Sequence, residues 1–514
     1  MVCFATVCTC SAPAPARMMG GPSAPPTSMS TQPKYQHLAD HYRSAIRAGS
    51  LLPGHRMPSL REVVRQHTVS LSTAMQVCRL LESEGWLEAR PRSGYFVRPA
   101  QAAAKLAPVN DPPMQRAPDP AQYLGIHAKV SEFLALGRMQ RFKTNLSTAR
   151  CAPELYPAKA LQQAAQRSLR LDPEQLVRAA PPQGCIEFRE VLAQRALLAG
   201  MRLSANDIQI TNGCTEALNL ALRAVAQPGD TIAVESPTFY GLLQTLESLG
   251  LKALEIPTSP RTGISVDAVE LALRNTPGIK AVVVIPYLQN PTGSIMPSAH
   301  KLALLRLCQQ HDVALVEDDT YSALVDDSVL RDDPLRAIKS WDDSGHVVYC
   351  ASLHKCLAPG LRLGWISAGR WQARLEMLKF AASRSNERLG QRAAASFIAS
   401  PAYDRYLRHL RATLATQRTQ TAQAVATYFP HGTRLTVPRG GLSLWIELPH
   451  DLSATALFHA ALAENTVVAP GTIFTNSNRF ESHLRINCGW PFTPEVDRAF
   501  ARLGQMVGEL AGKP

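Results

Sequence analysis

The amino-acid sequence predicts an α/β protein with a mainly parallel sheet, preceded by a small helical module that ends in a hairpin. Three observations carry this. From about Tyr123 to the end, apolar strand-like runs alternate with amphipathic helical ones, the order that winds a parallel sheet. From Lys34 to Arg98, three short helical stretches with cap signals precede two strand-like runs. Between these regions, Arg98 to about Gln122 is rich in Ala, Pro and Gln and reads as a linker too polar and proline-broken to pack. The expected organisation is a disordered segment over 1–33, the small module over 34–98, the linker over 99–122 and the α/β domain over 123–514.

Residues 1–33 are rich in Ala, Pro, Ser, Thr and Met and show no periodicity, hence the expectation of disorder. Val2 to Cys10 is mildly apolar but lacks a basic start and is too short for a secretory leader, and Met29 is a second candidate start. From Lys34 the residues Tyr35, Leu38, Ala39, Tyr42, Ala45 and Ile46 recur at helical spacing up to Gly49. After a Leu-Leu-Pro-Gly turn, Ser59 is placed to cap a helix over Leu60–His67, and Ser70 or Ser72 to cap a third that runs through Leu80 and Leu81 to Gly85. Two helices joined by a turn of three or four residues have helix-turn-helix spacing, in which the second helix enters the major groove. Trp86–Arg90 and Gly94–Val97 then read as two strands around Pro91-Arg92-Ser93, a hairpin with arginines at its tip.

Composition narrows the classes of function. With 514 residues the chain has room for about three domain-sized units, or one large two-lobed fold and a small module. A hydrophobic share of 46% and a charged share of 18% describe an ordinary soluble protein. No run approaches the roughly twenty apolar residues of a membrane span, so no membrane partner is expected. The eleven cysteines lack metal-ligand spacing and several lie in apolar segments. They read as reduced core residues, which predicts a cytoplasmic protein without a metal site. The net charge of +13 fits either solubility or a polyanionic partner. Ten Lys/Arg against five Asp/Glu between Lys34 and Arg98 concentrate a local +5 there, which points to one basic module.

In the α/β region the strands expected are Thr231–Val234, Ala281–Ile285 and Ala314–Val316, with ligand groups just beyond their C-terminal ends. An apolar run from Val347 reads as another buried strand, Pro359-Gly360 as a turn and Leu363–Ala368 as its neighbour, so Lys355 falls on a loop between buried elements. Ser352 three residues before it and Arg362 seven after it place a hydroxyl and a guanidinium where both can hold a phosphate beside an amine. That set suits pyridoxal 5'-phosphate (PLP), whose aldehyde condenses with an amine and whose phosphate needs donors.

Ser352-x-x-Lys355 followed by Ala-Pro-Gly-Leu-Arg-x-Gly-Trp resembles the cofactor-lysine segment of fold-type I, aspartate-aminotransferase-like enzymes. The resemblance implies that Gly213, Cys214 and Thr215, at the start of a helix, bind phosphate through free N–H groups. It implies that Asn290, in Asn-Pro-Thr-Gly, donates to the cofactor's phenolic oxygen together with Tyr321, and that Asp318 faces the ring nitrogen and keeps it protonated. Phe239 is chosen to stack on the ring, with Tyr240 as the alternative. Arg485, in Leu-Arg-Ile-Asn, resembles the family's clamp for an α-carboxylate, which implies an amino-acid or keto-acid ligand. One departure stands out: relatives carry a tyrosine five residues before Gly184 that reaches the neighbouring subunit's phosphate, and here that position is Ala179, with Arg178 as a candidate substitute.

Residues 34–98 resemble a GntR-type winged helix, with Leu-Leu-Pro-Gly-His-Arg-Met-Pro-Ser-Leu-Arg-Glu, Val-Ser-Leu-Ser-Thr and Arg-Ser-Gly-Tyr-Phe-Val in the family's order. This implies that Arg61 contacts phosphate, that Ser70, Ser72 and Thr73 face DNA, and that Arg92 and Gly94 serve the wing. Where the family often has an arginine after the recognition serine, this chain has Leu71. The two resemblances together point to the MocR subfamily of transcription regulators: a homodimer on a double-stranded DNA operator, with PLP as cofactor and an amino acid or a vitamin B6 compound as effector. Two other readings compete with it. One is an aminotransferase of 2-aminoadipate or aromatic type with an attached DNA module; the other treats the large domain as an inert dimerisation scaffold.

Overall fold

The computed structural model describes residues 33–47, 50–51, 54–83, 86–90, 93–97, 106–136, 142–332, 334–477 and 479–512. Residues 1–32, expected to be disordered, lie outside this set, as does Arg92. The chain forms two compact units, Met1–Pro99 and Ala100–Pro514.

The first unit contains α1 (Lys34–Arg47), α2 (Leu60–His67), α3 (Leu71–Ser83), β1 (Leu87–Arg90) and β2 (Gly94–Val97). Leu38, Ala39, Tyr42 and Ile46 turn the apolar face of α1 onto Val63 of α2 and onto Ala74, Val77 and Leu81 of α3, closing a small core. Ser59 caps α2 in a reciprocal box with Glu62, and Ser70 caps α3, its Oγ accepting from the Thr73 N–H at 3.1 Å. Ser72, the other candidate, lies inside that first turn. β1 and β2 pair antiparallel from Leu87–Val97 to Arg90–Gly94. Residues 54–57 run along β2 through the Met57 N–H to Tyr95 and the Val97 N–H to His55, both at 2.8 Å, so a third chain segment supports the hairpin.

The second unit is built on a sheet with strands β3 (Gln122–Tyr123), β4 (Gln209–Thr211), β5 (Thr231–Ser236), β6 (Lys252–Ser259), β7 (Ile279–Val284), β8 (Ala314–Asp318), β9 (Val347–Ser352) and β10 (Gly364–Ser367). Their spatial order is β3-β6-β5-β7-β8-β9-β10-β4, with β5 to β9 mutually parallel and antiparallel pairing at β3 and β10. The three strands expected from sequence all form. β5 and β8 continue to Ser236 and Asp318, which carries their last side chains to the sheet's edge. A smaller antiparallel sheet contains β11 (Arg434–Thr436), β12 (Ser443–Glu447), β13 (Ala469–Pro470) and β14 (His483–Asn487) in the order β11-β12-β14-β13.

The expectation of an unpacked linker over 99–122 does not hold for its described part, 106–122. Val109 is buried in the core of the second unit, Leu435 donates its N–H to Ala107, Asp111 bonds Ser259 and Arg261, and Met114 accepts from Ser265. Proline-rich sequence suppresses helix and strand but leaves carbonyls and scattered apolar side chains free to bind a preformed surface. Residues 98–105 lie outside the described set.

Candidate functional site

β9 ends at Ser352, the chain turns through Lys355, and a short turn at Pro359–Leu361 leads to Arg362 and β10. Lys355 Nζ donates to the Ala149 carbonyl at 2.5 Å and stands 5.6 Å from the centre of the Tyr321 ring. Burial, reinforced by the nearby Arg485 guanidinium, pulls the Lys355 ammonium down to about 8. An amine so poised has a far larger neutral fraction near physiological pH than an ordinary lysine, and the neutral form is what a carbonyl nucleophile requires.

A candidate phosphate cradle lies on the same segment. Gly213, at φ +77°, opens α4 (Gly213–Val225). A Cβ at Gly213 would come within 3.4 Å of Arg362 Nη2, while a Cβ at Gly364 would lie 2.6 Å from the backbone of Gly213, so both glycines permit a close approach of backbone and guanidinium. Arg362 donates to the Asn212 carbonyl at 3.1 Å. The Ser352 hydroxyl is buried and has no hydrogen-bond partner. A buried orphan hydroxyl next to a helix N-terminus and an arginine fits an anion that supplies the missing acceptor. Thr215 is exposed at the same helix start. The thiol of Cys214 instead donates to Asp318 Oδ1 at 3.3 Å, which leaves its backbone N–H as the group facing an anion.

Asp318 ends β8, where Oδ1 also accepts from the Thr320 N–H at 3.1 Å and the Thr320 hydroxyl at 2.6 Å. Burial pushes the Asp318 carboxyl up, and these donors and Lys355 pull it back toward the charged form. Phe239 precedes α5 (Tyr240–Ser248) and packs against both halves of the core of this unit. A Cβ at Gly241 would fall 2.5 Å from the Phe239 ring, so Gly241 is what admits that ring. Tyr240, the alternative, packs against Phe133 and Phe474.

The far end is a polar chain across the two sheets. Arg485 on β14 is 1% exposed; its Nη1 donates to Asn290 Oδ1 at 2.8 Å and its Nη2 to the Ser147 carbonyl, while Nε has no partner. Asn290 Nδ2 in turn donates to the Tyr321 hydroxyl at 3.3 Å. A guanidinium buried without a carboxylate partner among the described residues, and with an N–H unused, is built to receive an anion.

The structure thus brings together Lys355, Ser352, Arg362, Gly213, Cys214, Asp318, Tyr321, Asn290 and Arg485, with Phe239 at the margin. Ala179 and Arg178 are exposed, and Arg178 pairs with Glu174, so nothing here directs it to the cradle. Four participants were missed in the sequence. Ser147 and Ala149 contribute only carbonyls, which leave no signature in side-chain identity. His354, next to Lys355, has a buried unpartnered Nδ1 and is held down to about 4 by burial and by Lys355, hence neutral. Glu235, on β5, is pushed up to about 8 by burial although it accepts from the Ile285 N–H and Gln289. Its place at the end of an apolar strand was the available signal.

In the first unit, Ser70, Ser72 and Thr73 form one hydroxyl cluster at the start of α3, with Ser70 Oγ 2.8 Å from Ser72 Oγ and 2.9 Å from Thr73 Oγ1. Arg61 is exposed in the first turn of α2, and Leu71, where relatives often have arginine, is 55% exposed. Gly94 adopts φ +95° at the start of β2, 3.5 Å from the Arg56 guanidinium as measured from an added Cβ. Arg56, which the sequence reading passed over, thereby joins the wing. Among the described residues no helix is long and apolar enough to cross a membrane.

Residues 143–503 match the aminotransferase class I and II family, and residues 34–97 match the bacterial regulatory proteins of the gntR family. Two relatives in Escherichia coli K12, the uncharacterized HTH-type transcriptional regulators YjiR and YdcR, are each 36% identical over 477 residues. These alignments cover 92% and 93% of this chain and 98% and 99% of theirs. LysN, an alpha-aminoadipate aminotransferase from Thermus thermophilus, matches with a TM-score of 0.67 at 26% identity, over 74% of this chain and 95% of its own. The kynurenine aminotransferase of Pyrococcus horikoshii matches with a TM-score of 0.69 at 25% identity, over 75% and 95%. The orphan Ser352 hydroxyl, the Arg362 cradle and the poised Lys355 amine fit PLP, the cofactor of this domain. A gntR-type winged helix and a fold-type I aminotransferase domain in one polypeptide place this chain in the MocR subfamily of GntR-type transcription regulators.

Proposed function

We propose that this protein is a PLP-dependent, DNA-binding transcription regulator whose signal is an amino acid, or a vitamin B6 compound, received in the aminotransferase-like unit. The observation that carries the ligand class is Arg485: a buried guanidinium, unpaired with any carboxylate among the described residues and with Nε unused, in the same pocket as the Lys355 amine. Its planar fork suits a carboxylate, and Asn290 fixes its orientation. Lys355 holds an amine whose lowered pKa makes its neutral form available to a carbonyl, and Asp318, steadied by Thr320 and Cys214, supplies a carboxylate able to retain a proton on a pyridine nitrogen. When bound, the cofactor supplies an aldehyde and an electron sink. On the DNA side, the hydroxyl cluster of α3 and Arg61 meet phosphate, with Gly94 and Arg92 at the wing.

The working form is a homodimer in the cytoplasm, a reading supported by the exposed apolar run Leu171, Leu176 and Val177, 77%, 66% and 84% exposed, beside Ala179. The test is operator affinity, measured by fluorescence anisotropy on a fragment selected from random DNA by the PLP-loaded protein. With the responding amino acid the affinity is expected to change by about 5- to 150-fold. Equal affinities with and without PLP and across all twenty amino acids would overturn the sensor reading. A second reading, turnover as an aminotransferase, is favoured by the complete set of cofactor residues, and by neighbours that are themselves aminotransferases. Continuing conversion of an amino acid in the presence of 2-oxoglutarate would establish it.

A further inference from the structure

α3 has one face in the core and one in solvent, and the solvent face is not what a polar surface helix would carry. Ala74, Val77, Cys78 and Leu81 are each 0% exposed and fill the core of the first unit. The opposite side carries Leu71, Ser72, Met75, Gln76 and Arg79, which helical spacing places in one stripe. Leu71 is 55% exposed and Met75, one turn further on, is 36% exposed. They are the exposed large apolar side chains of this unit among the described residues, and they fall together on the helix that helix-turn-helix geometry places in the major groove.

The groups around them divide the work of binding. The hydroxyls of Ser70, Ser72 and Thr73 bond one another, and Ser70 also caps the helix. The basic charge of the module attracts phosphates without choosing a sequence. Leu71 can do neither. It offers no hydrogen bond, so the donor and acceptor pattern of a base edge is unreadable to it. The apolar group that unmodified DNA presents in the major groove is the 5-methyl of thymine. Guanine, cytosine or adenine set against Leu71 would lose water from a polar atom and gain no partner, whereas thymine would bury apolar surface on both sides. Met75, unbranched and adaptable, extends the same contact by one turn.

We propose that Leu71, flanked by Met75, is a specificity-determining residue that reads the 5-methyl group of a thymine in the major groove. This rests on the DNA-binding reading of the first unit and adds to it the base, and the atom of that base, that the start of α3 selects.

The test is the affinity of the PLP-loaded full-length protein for an operator fragment selected from random DNA, with each thymine replaced singly by uracil, which deletes the methyl group and keeps the base pair. In the wild type at least one replacement is expected to weaken binding by about fourfold, the effect of one buried CH₂ group. In Leu71→Ala the affinities for thymine and uracil at that position are expected to become equal. Uracil changes the duplex itself identically for both proteins, so the loss of the ratio in the variant assigns the methyl to Leu71. Met75→Ala should lower the ratio in part, and Arg61→Ala should lower affinity and keep the ratio. Because Leu71 is mostly exposed, Leu71→Ala empties no core, and its thermal unfolding should match the wild type. A wild type indifferent to every uracil replacement overturns the proposal, as does an undiminished ratio in Leu71→Ala, and both leave the regulator reading standing. A changed oligomeric state in Leu71→Ala with the ratio intact overturns it by assigning this face to a protein contact. Failure to bind any duplex removes the proposal and the regulator reading together.

Discussion

The DNA-binding unit and the cofactor-binding unit assemble their sites by opposite means. In the first, Arg61, Ser70, Ser72, Thr73 and Gly94 lie within one short stretch, and local devices set the geometry: the Ser59–Glu62 box, the Ser70 cap and a tight hairpin. In the second, Asn290 meets Arg485 across 195 positions and Lys355 meets Ala149 across 206. A locally built site changes piecemeal when a residue is replaced. One drawn from distant strands shares its partners, so a single substitution disturbs several groups.

The strongest way to sharpen that contrast is at Lys355. Lys355→Ala is expected to remove the protein-linked PLP chromophore entirely while leaving the winged helix folded; unchanged regulation in that variant would make the large unit a scaffold. In the wild type, the Lys355 pKa is lowered to about 8, so the neutral amine gains as pH rises through that value. The rate at which apoprotein reloads with PLP should climb between pH 6 and about 8 and level off above it.

Next in size is Glu235. Its carboxyl is raised from 4.5 to about 8 in the folded protein, so its protonated form contributes stability fully present below pH 4.5, declining above that and lost beyond about 8. Glu235→Gln is always neutral and should gain relative to wild type by on the order of a few kcal/mol between pH 5 and pH 9, read from denaturant midpoints. A pH-independent difference would show that Glu235 is ionised in the fold.

Arg485→Lys should weaken amino-acid binding by about tenfold or more, because a lysine cannot reproduce the paired hydrogen bonds. Combined with Asn290→Ala, it should show a coupling of about 0.5–3 kcal/mol in a double-mutant cycle. Additivity there would break the picture of a shared network. The smallest effect belongs to the local site: Arg61→Ala should lower operator affinity and reduce the salt-dependence slope by about 1, without altering PLP absorbance. An altered PLP spectrum in that variant, measured without DNA, would show that Arg61 acts beyond its phosphate contact.

Much of this was legible before the fold. The caps at Ser59 and Ser70 and the glycine at position 94 are side-chain choices forced by backbone geometry, so the small module could be read residue by residue. The lysine segment likewise announced an amine, a hydroxyl and a guanidinium on one loop. The linker misled because proline and alanine advertise the absence of regular structure, and that is compatible with Val109 and Asp111 packing onto the second unit. Sequence shows Glu317, Asp318 and Asp319 as three adjacent acids and not the separate partners they take.

The sequence alone determined the two-part organisation, the helix-turn-helix and its wing, the alternation that winds the sheet, and the residue types a PLP pocket and a carboxylate clamp require. These follow from local periodicity and from chemistry that few side chains can supply. The tertiary structure decided which carbonyl holds the Lys355 amine, that Arg485 is buried with one N–H unused, and that the Cys214 thiol turns to Asp318. Burial and orphaned donors and acceptors are properties of distant segments brought into contact, and no one segment carries them.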